Sequence, residues 1–511
     1  MDWLVRVGLV FHLLLFVSCQ HIGDSSELNE VADQHEPQDC FRAAVYEHYR
    51  IDSTDCKESL KMNLAVYETA AMTARKNGAN IIVFPEYGIF VGSLPNVLEC
   101  LEEVPDPAKP ETKFDSGKNY CSLKGQTKNE FSVLTELSCI AERNNIYVVA
   151  NFGSKERCEP NTEIGELRCP AEGFLTFNTN VVFDAQGNFV SRYRKYHLFG
   201  DAYNKAPKPE LIHFKTPFGT FGQFICFDIL FKDPAIDLIE ENKIDTILFP
   251  SNWFDNVPLL TAIQVQDFWS LRNNVNLLAA NNLQPFVGTT GSGIYSIDNS
   301  SIYVSASSTS PQLILQTLPS NSNNIEKCRA IAEPKKLSLK NVRQLPEMFY
   351  RSTDVVRVTD DDIILDLGKP EDDIQLCHKK VCCQLVYKIA GKDVPRGLVL
   401  IIRDNPRPIT GWYEQFCALA IKDSSSKRKI FYDYDTGLSL KYEKLSISGK
   451  FSTKYVFPTA SESVHELIDR SSRKFTCKQE EGATSCDQSL LEPKFVNSFG
   501  LYARYFDAEM K

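Results

Sequence analysis

At 511 residues the chain exceeds what one hydrophobic core supports, so two domains are expected. Its 43% hydrophobic and 24% charged residues exclude a disordered chain, and a net charge of −10 argues against nucleic acid and anionic membrane surfaces as partners. The apolar run GLVFHLLLFV at 8–17, behind Arg6 and ending at Val17–Cys19, reads as a secretory leader over 1–19, too short to span a bilayer. No later run reaches the ~18 apolar residues of a membrane helix, and the terminal LYARYFDAEMK is too polar for a lipid-anchor signal. The mature chain is therefore expected to be soluble and extracellular.

Residues 60–77 carry a helical stripe (Leu60, Leu64, Tyr67, Ala71, Ala74) that stops at Gly78. ANIIVFPE (79–86) follows as a buried strand that ends at Pro85 and presents Glu86, and NIYVVANFG (145–153) is a second such strand. NVVFDAQGNFVSRYRK reads as a hairpin turning at Gly187 with Lys195 at its far end. LIHFKTPFGTFGQFICF is another hairpin, turning near Pro217–Gly219 and running as an apolar strand to Cys226. A helix over 234–243, the strand DTILFPSNW, the helix PLLTAIQVQDFWSLRNN, and the segments VNLLAANN and GSGIYSI complete the set. Alternation of this kind predicts a layered α/β domain with its site at the strand ends, where Glu86, Lys195, Cys226 and Asn252 fall.

Of sixteen cysteines, loss of Cys19 with the leader leaves an odd number in a secreted chain, so at least one stays unpaired. Most lie in polar settings such as SKERCEPN; Cys226, in an apolar strand, is the candidate thiol.

FPEYG, RYRKYHLFG and CFDILFKDPA resemble, in order and rough spacing, the Glu, Lys and Cys motifs of the nitrilase superfamily. AAVYEH (43–48), NTNVVFDAQGNFVSRYRK, FGTFGQFICFDILFKDPA and TGSGIY (290–295) resemble its vanin/biotinidase branch, strongly over roughly 40–300. The resemblance implies a four-layer αββα sandwich and hydrolysis of a small-molecule amide, pantetheine or a biotin amide such as biocytin. Two positions depart from the branch pattern: Asp201 stands where a supporting Glu is usual, and Gln264 replaces a Glu, so pocket shape and charge are expected to differ. Asp201, Asn252 and Trp253 are the substrate-pocket candidates.

The chemistry can be argued from the residue types. A thiol attacks a carbonyl as the thiolate, so a base must take its proton. Glu86, desolvated at a strand end, would be that base; the Lys195 ammonium and the Phe227 backbone N–H would hold the oxyanion. Singly, each has a structural reading: a loop carboxylate, a solvated lysine, an inert buried thiol. Together in three matched motifs they form a catalytic set, which argues against a silent binding protein that merely keeps the fold. A papain-like pairing lacks a local signature at His378 or His465, CHKKVCC (377–383) fits disulfides better than zinc, and GSG at 291–293 is no phosphate cradle. No metal or cofactor is expected.

Past residue 305, SASSTSPQ and LPSNSNN are turn-rich, and short strand-like runs begin near 350 (DDIILDLG, CCQLVYKIA, RGLVLIIRD, CALAIKD, YVFPTA). A catalytic domain over 38–318 is thus expected to precede a smaller, disulfide-stapled β-rich domain within 319–511, with a structural role. The sequon at Asn299 marks a surface glycosylation site.

Overall fold

A computed structural model describes residues 38–90, 97–107, 117–124, 132–329, 331–339, 354–355, 359–407, 412–421 and 439–509. The leader at 1–19 and part of the loop region after Glu86 lie outside the described residues. The amino-terminal half is built on two sheets laid face to face. The first runs, in spatial order, Lys335–Ser338, Gln312–Pro319, Cys40–Glu47, Ile81–Val83, Tyr147–Arg157, Phe174–Phe183, Phe189–Arg194. The second runs Ser301–Tyr303, Gly293–Tyr295, Asn276–Ala280, Thr246–Pro250, Gly219–Gln223, His213–Thr216.

Side-chain alternation explains why these strands read as continuous apolar runs. On Cys40–Glu47, Phe41, Ala43 and Val45 enter the core between the sheets with Ile81, Val83, Leu248 and Leu278. Ala44 and Tyr46 face the other way, onto Leu60, Leu64 and Tyr67 of the helix Cys56–Lys76 and Leu137 of the helix Val133–Asn144. Both faces are buried, so no polar alternation survives. The outer face of the second sheet packs on the helix Ala262–Asn273, giving the expected αββα order.

The strand Gln312–Pro319, antiparallel to Cys40–Glu47, lies within a stretch whose serines and prolines disguise it. The sheet then gains the edge strand Lys335–Ser338 beyond it.

The carboxyl-terminal half is a β-sandwich. One sheet is built on Leu398–Pro406, Tyr413–Ile421, Ser498–Arg504 and Val456–Ser463, the other on Val381–Ile389, Leu440–Phe451 and Ala483–Leu490. Among the described residues seven disulfides join fourteen cysteines, and Cys226 alone is free. The cysteines of CHKKVCC form Cys377–Cys382 and Cys383–Cys417. Among the described residues no group of His, Cys, Asp and Glu is arranged to hold a metal, and no helix is long and apolar enough to cross a membrane.

The sandwich packs through Val399, Phe416, Phe457 and Tyr502 against Ala262–Asn273. Asp267 on that helix is buried between Arg470 and Arg473, with Arg470 Nε donating to Oδ1 at 2.7 Å. Burial opposes its charge, but the two guanidiniums outweigh it and hold its carboxyl below the usual range. Asp267→Ala leaves two buried cations uncompensated and is expected to cost about 3–5 kcal/mol. A substantially lowered unfolding temperature checks this; an unchanged one would show the pair contributes little.

Candidate active site

Three chain segments converge at the carboxyl ends of the strands. Glu86 follows Ile81–Val83, Lys195 follows Phe189–Arg194, and Cys226 follows Gly219–Gln223 of the facing sheet. The hairpin that delivers Lys195 turns at Gly187 (φ 79°), where a Cβ would stand 2.8 Å from the Ser138 carbonyl, so only glycine fits. The strand expected to run to Cys226 stops at Gln223. Cys226 instead begins the tight helical turn Cys226–Leu230, with a left-handed φ of 46° that costs a non-glycine residue about 1–3 kcal/mol. Asp228 over-determines that turn. Its Oδ2 accepts from the Ile225 N–H at 3.1 Å and the Tyr193 hydroxyl at 2.7 Å, and its Oδ1 from the His197 N–H at 2.8 Å, tying the cysteine turn to the lysine loop.

Glu86 is 1% exposed, Lys195 2% and Cys226 5%. Lys195 Nζ donates to Glu86 Oε1 at 2.7 Å and to Asp201 Oδ2 at 3.1 Å. Asn178 Nδ2 donates to the same Glu86 oxygen at 2.7 Å, and the Asn252 backbone N–H to Oε2 at 2.9 Å. Cys226 lies beside Glu86, Lys195 and the Asn252 N–H, all of which act on its thiol. Burial first, and then the charge of Glu86, push the thiol well up, against the pull of Lys195; at neutral pH the sulfur holds its proton. Burial works against the Lys195 ammonium, but the Glu86 charge and its hydrogen bond outweigh it and keep it charged. The site thus rests with a protonated thiol beside the Lys195 ammonium, and the thiol must lose its proton during attack.

Asp201 was expected on the substrate pocket. Its oxygens are instead occupied by Lys195, by the Phe199 N–H at 2.7 Å and by the Tyr87 hydroxyl, behind the lysine and away from the cleft wall. Burial and the nearby Glu86 charge raise its carboxyl to about 8. Gln264, expected to alter pocket shape and charge, does not line the cleft. It pairs with Thr261 at the start of Ala262–Asn273 and donates to the Pro258 carbonyl and to Ser498 Oγ, both at 3.0 Å, because at the third helical position its side chain folds back over the helix end. Phe227, Asn252 and Trp253 do line it. Asn299 is exposed on the turn between Gly293–Tyr295 and Ser301–Tyr303.

Sequence reasoning missed the asparagines that orient Glu86. Asn151 Nδ2 donates to Asn178 Oδ1 at 2.7 Å, and Asn282 Nδ2 donates to the Glu86 carbonyl at 2.6 Å and to Asn252 Oδ1 at 2.9 Å. Their signal was available: polar amides inside or just after apolar strands are buried and must find partners. It also missed that the expected second domain, given only a structural role, contributes to the site: its Arg407 and Trp412 close one side of the cleft, a space of about 390 Å3 above Cys226. Trp412 packs on Phe227 at 5.0 Å between ring centres, and Arg504 Nε donates to the carbonyl of Leu230, the last residue of the cysteine turn, at 3.0 Å.

A free thiol held against a buried carboxylate and ammonium suits covalent attack on an acyl carbon, and the comparisons agree. A carbon-nitrogen hydrolase family model matches residues 42–275, and a vanin C-terminal domain model matches 361–509. Pantetheinase from Mus musculus is 35% identical over 437 residues, 82% of this chain and 81% of that protein. Pantetheinase from Homo sapiens is 33% identical over 448 residues, 84% and 83% of the two chains. Biotinidase from Homo sapiens is 33% identical over 490 residues, 86% and 84%. The chain belongs to the vanin/biotinidase branch of the carbon–nitrogen hydrolase family. It is an amide hydrolase.

Proposed function

We propose that this protein hydrolyses pantetheine to pantothenate and cysteamine through a thioester on Cys226. The contact that supports this best is the placing of the Cys226 sulfur against Glu86, itself held by Lys195 at 2.7 Å. The sulfur attacks the amide carbon as its proton passes to Glu86. The oxyanion is stabilised by Lys195 and the Phe227 N–H, which lies in the first turn of Cys226–Leu230. Collapse breaks the C–N bond, and the departing cysteamine nitrogen takes the proton from Glu86. Water then gives a proton to Glu86 and attacks the thioester; collapse releases pantothenate and returns the proton to sulfur.

Hydrolysis of biotin amides is the second reading, favoured by the equal identity to the human biotinidase over a longer stretch. Purified protein incubated side by side with pantetheine and biocytin decides between them: rapid release of cysteamine supports the first, and release of lysine without cysteamine replaces it with the second. Lys195→Ala is expected to lower kcat roughly 10²–10³-fold, the scale of removing an oxyanion donor; a loss under tenfold would remove Lys195 from that role.

The same reading makes 38–318, extended past the expected boundary by the edge strand Lys335–Ser338, the catalytic unit, and the β-sandwich beyond it the second domain. It also makes the protein secreted and glycosylated at Asn299, supported by seven disulfides and by that residue's exposed turn.

A further inference from the structure

The cleft above Cys226 is walled mainly by aromatic and aliphatic side chains, among them Phe199, Leu230, Trp253 and Trp412. Asn256 breaks that pattern. It lines the cleft and is only 5% exposed, yet neither its Oδ1 nor its Nδ2 has a hydrogen-bond partner among the described residues. The neighbouring asparagines of this site are all engaged: Asn178 with Glu86, Asn252 through its side chain with Asn282, Asn282 with the Glu86 carbonyl. Asn256 uses only its backbone, its N–H donating to the Leu260 carbonyl at 3.2 Å and its carbonyl accepting from the Leu260 N–H at 2.9 Å. A buried amide with donor and acceptor both unmet is destabilising, and a folded protein keeps one chiefly where a ligand completes it.

We infer that the Asn256 side chain reads the acyl half of the substrate, binding a neutral group that offers both an acceptor and an N–H or O–H donor. Arg407, the one cationic side chain among the described residues that line the cleft, borders it with its Nη1 donating to Glu414 Oε1 at 3.2 Å. An otherwise apolar cleft with this polar end suits an acyl arm having an apolar body and a hydroxyl, amide or ureido group beyond the scissile carbonyl. The inference deepens the amidase reading and rests on it. It also distinguishes Asn256 from a structural asparagine: since its amide holds no partner among the described residues, its loss should not weaken the fold.

The test compares pantetheine with N-propanoylcysteamine, which has the same scissile bond and amine but no polar acyl end, in wild type and Asn256→Leu. The expected result is a fall of roughly 10–100-fold in kcat/KM for pantetheine, carried by KM, with N-propanoylcysteamine changed less than about twofold and the unfolding temperature unchanged or raised. Equal losses on both substrates, a lowered unfolding temperature, or no loss on pantetheine would overturn it. Should wild type cleave biocytin and not pantetheine, the pantetheine reading fails but Asn256 is judged in the same way on biocytin against Nε-propanoyl-lysine. Should it cleave none of these, binding of pantothenate and biotin to Cys226→Ala protein decides. Weaker binding after adding Asn256→Leu supports the inference; unchanged binding, or none in either protein, overturns it.

Discussion

Cys226→Ala is expected to abolish turnover, lowering kcat by at least about 10⁵-fold, while the protein still folds. Without the sulfur no thioester can form, and the remaining groups can only assist direct attack by water, a route far slower than covalent catalysis. The structural cost is small. Alanine keeps the Cβ, so it meets the left-handed backbone of position 226 on nearly the terms cysteine does, and Asp228 still anchors the turn through Ile225, Tyr193 and His197. Removal of one buried sulfur costs on the order of 1–2 kcal/mol. No disulfide is disturbed, because Cys226 has no partner. Assay of folded variant on pantetheine and biocytin checks this, and wild-type rates would remove Cys226 from the reaction.

Glu86→Gln tests the proton path. Every group that touches the Glu86 carboxylate is a donor: Lys195 and Asn178 on Oε1, the Asn252 N–H on Oε2. A glutamine must turn its NH2 toward one of these sets, so it replaces at least one hydrogen bond with a donor–donor contact, and it cannot carry the thiol proton at all. Losing the Glu86 charge removes one cause that holds the Cys226 thiol protonated, but burial, the larger cause, remains, so the sulfur still has no easy thiolate route at neutral pH. A fall in kcat/KM of about 10³–10⁴-fold is expected. Measurement across pH separates the two defects: the residual rate of Glu86→Gln should climb with rising pH as hydroxide takes over the proton, whereas a variant that had only lost position would keep the wild-type profile.

The triad was legible because each member closes an apolar run. Glu86 ends ANIIVFPE, Lys195 ends a hairpin, and Cys226 ends the run that begins at Gly219. What sequence could not supply was partnership across the fold. Cys417 also sits in an apolar strand, CALAI, yet it bonds Cys383, so setting alone does not mark a free thiol. Asn178 lies ninety-two residues from Glu86 and Asp201 a hundred and fourteen from Tyr87, and no local pattern joins them. The second domain was given a supporting role because its strands carry no motif. Its contribution to the site comes from Arg407 and Trp412 at one sandwich edge, placed there by the buried Glu414, whose Oε1 accepts from both, at 3.2 Å from Arg407 and 2.7 Å from Trp412. Glu414 stays ionised because Arg407 and Arg403 outweigh the effect of its burial and draw its carboxyl down to about 2. Asp201 was placed on the pocket, and Gln264 expected to alter its shape and charge, from their departures from the family pattern, but which way a side chain turns depends on donors from other elements.

The most direct measurement is peptide mass mapping of wild-type protein acid-quenched during turnover of an activated pantothenate ester, whose ready leaving group makes deacylation the slow step. The account predicts a pantothenoyl adduct on the peptide bearing Cys226, lost when hydroxylamine is added and absent from Cys226→Ala. An adduct on any other residue, or turnover with none on Cys226, would contradict it.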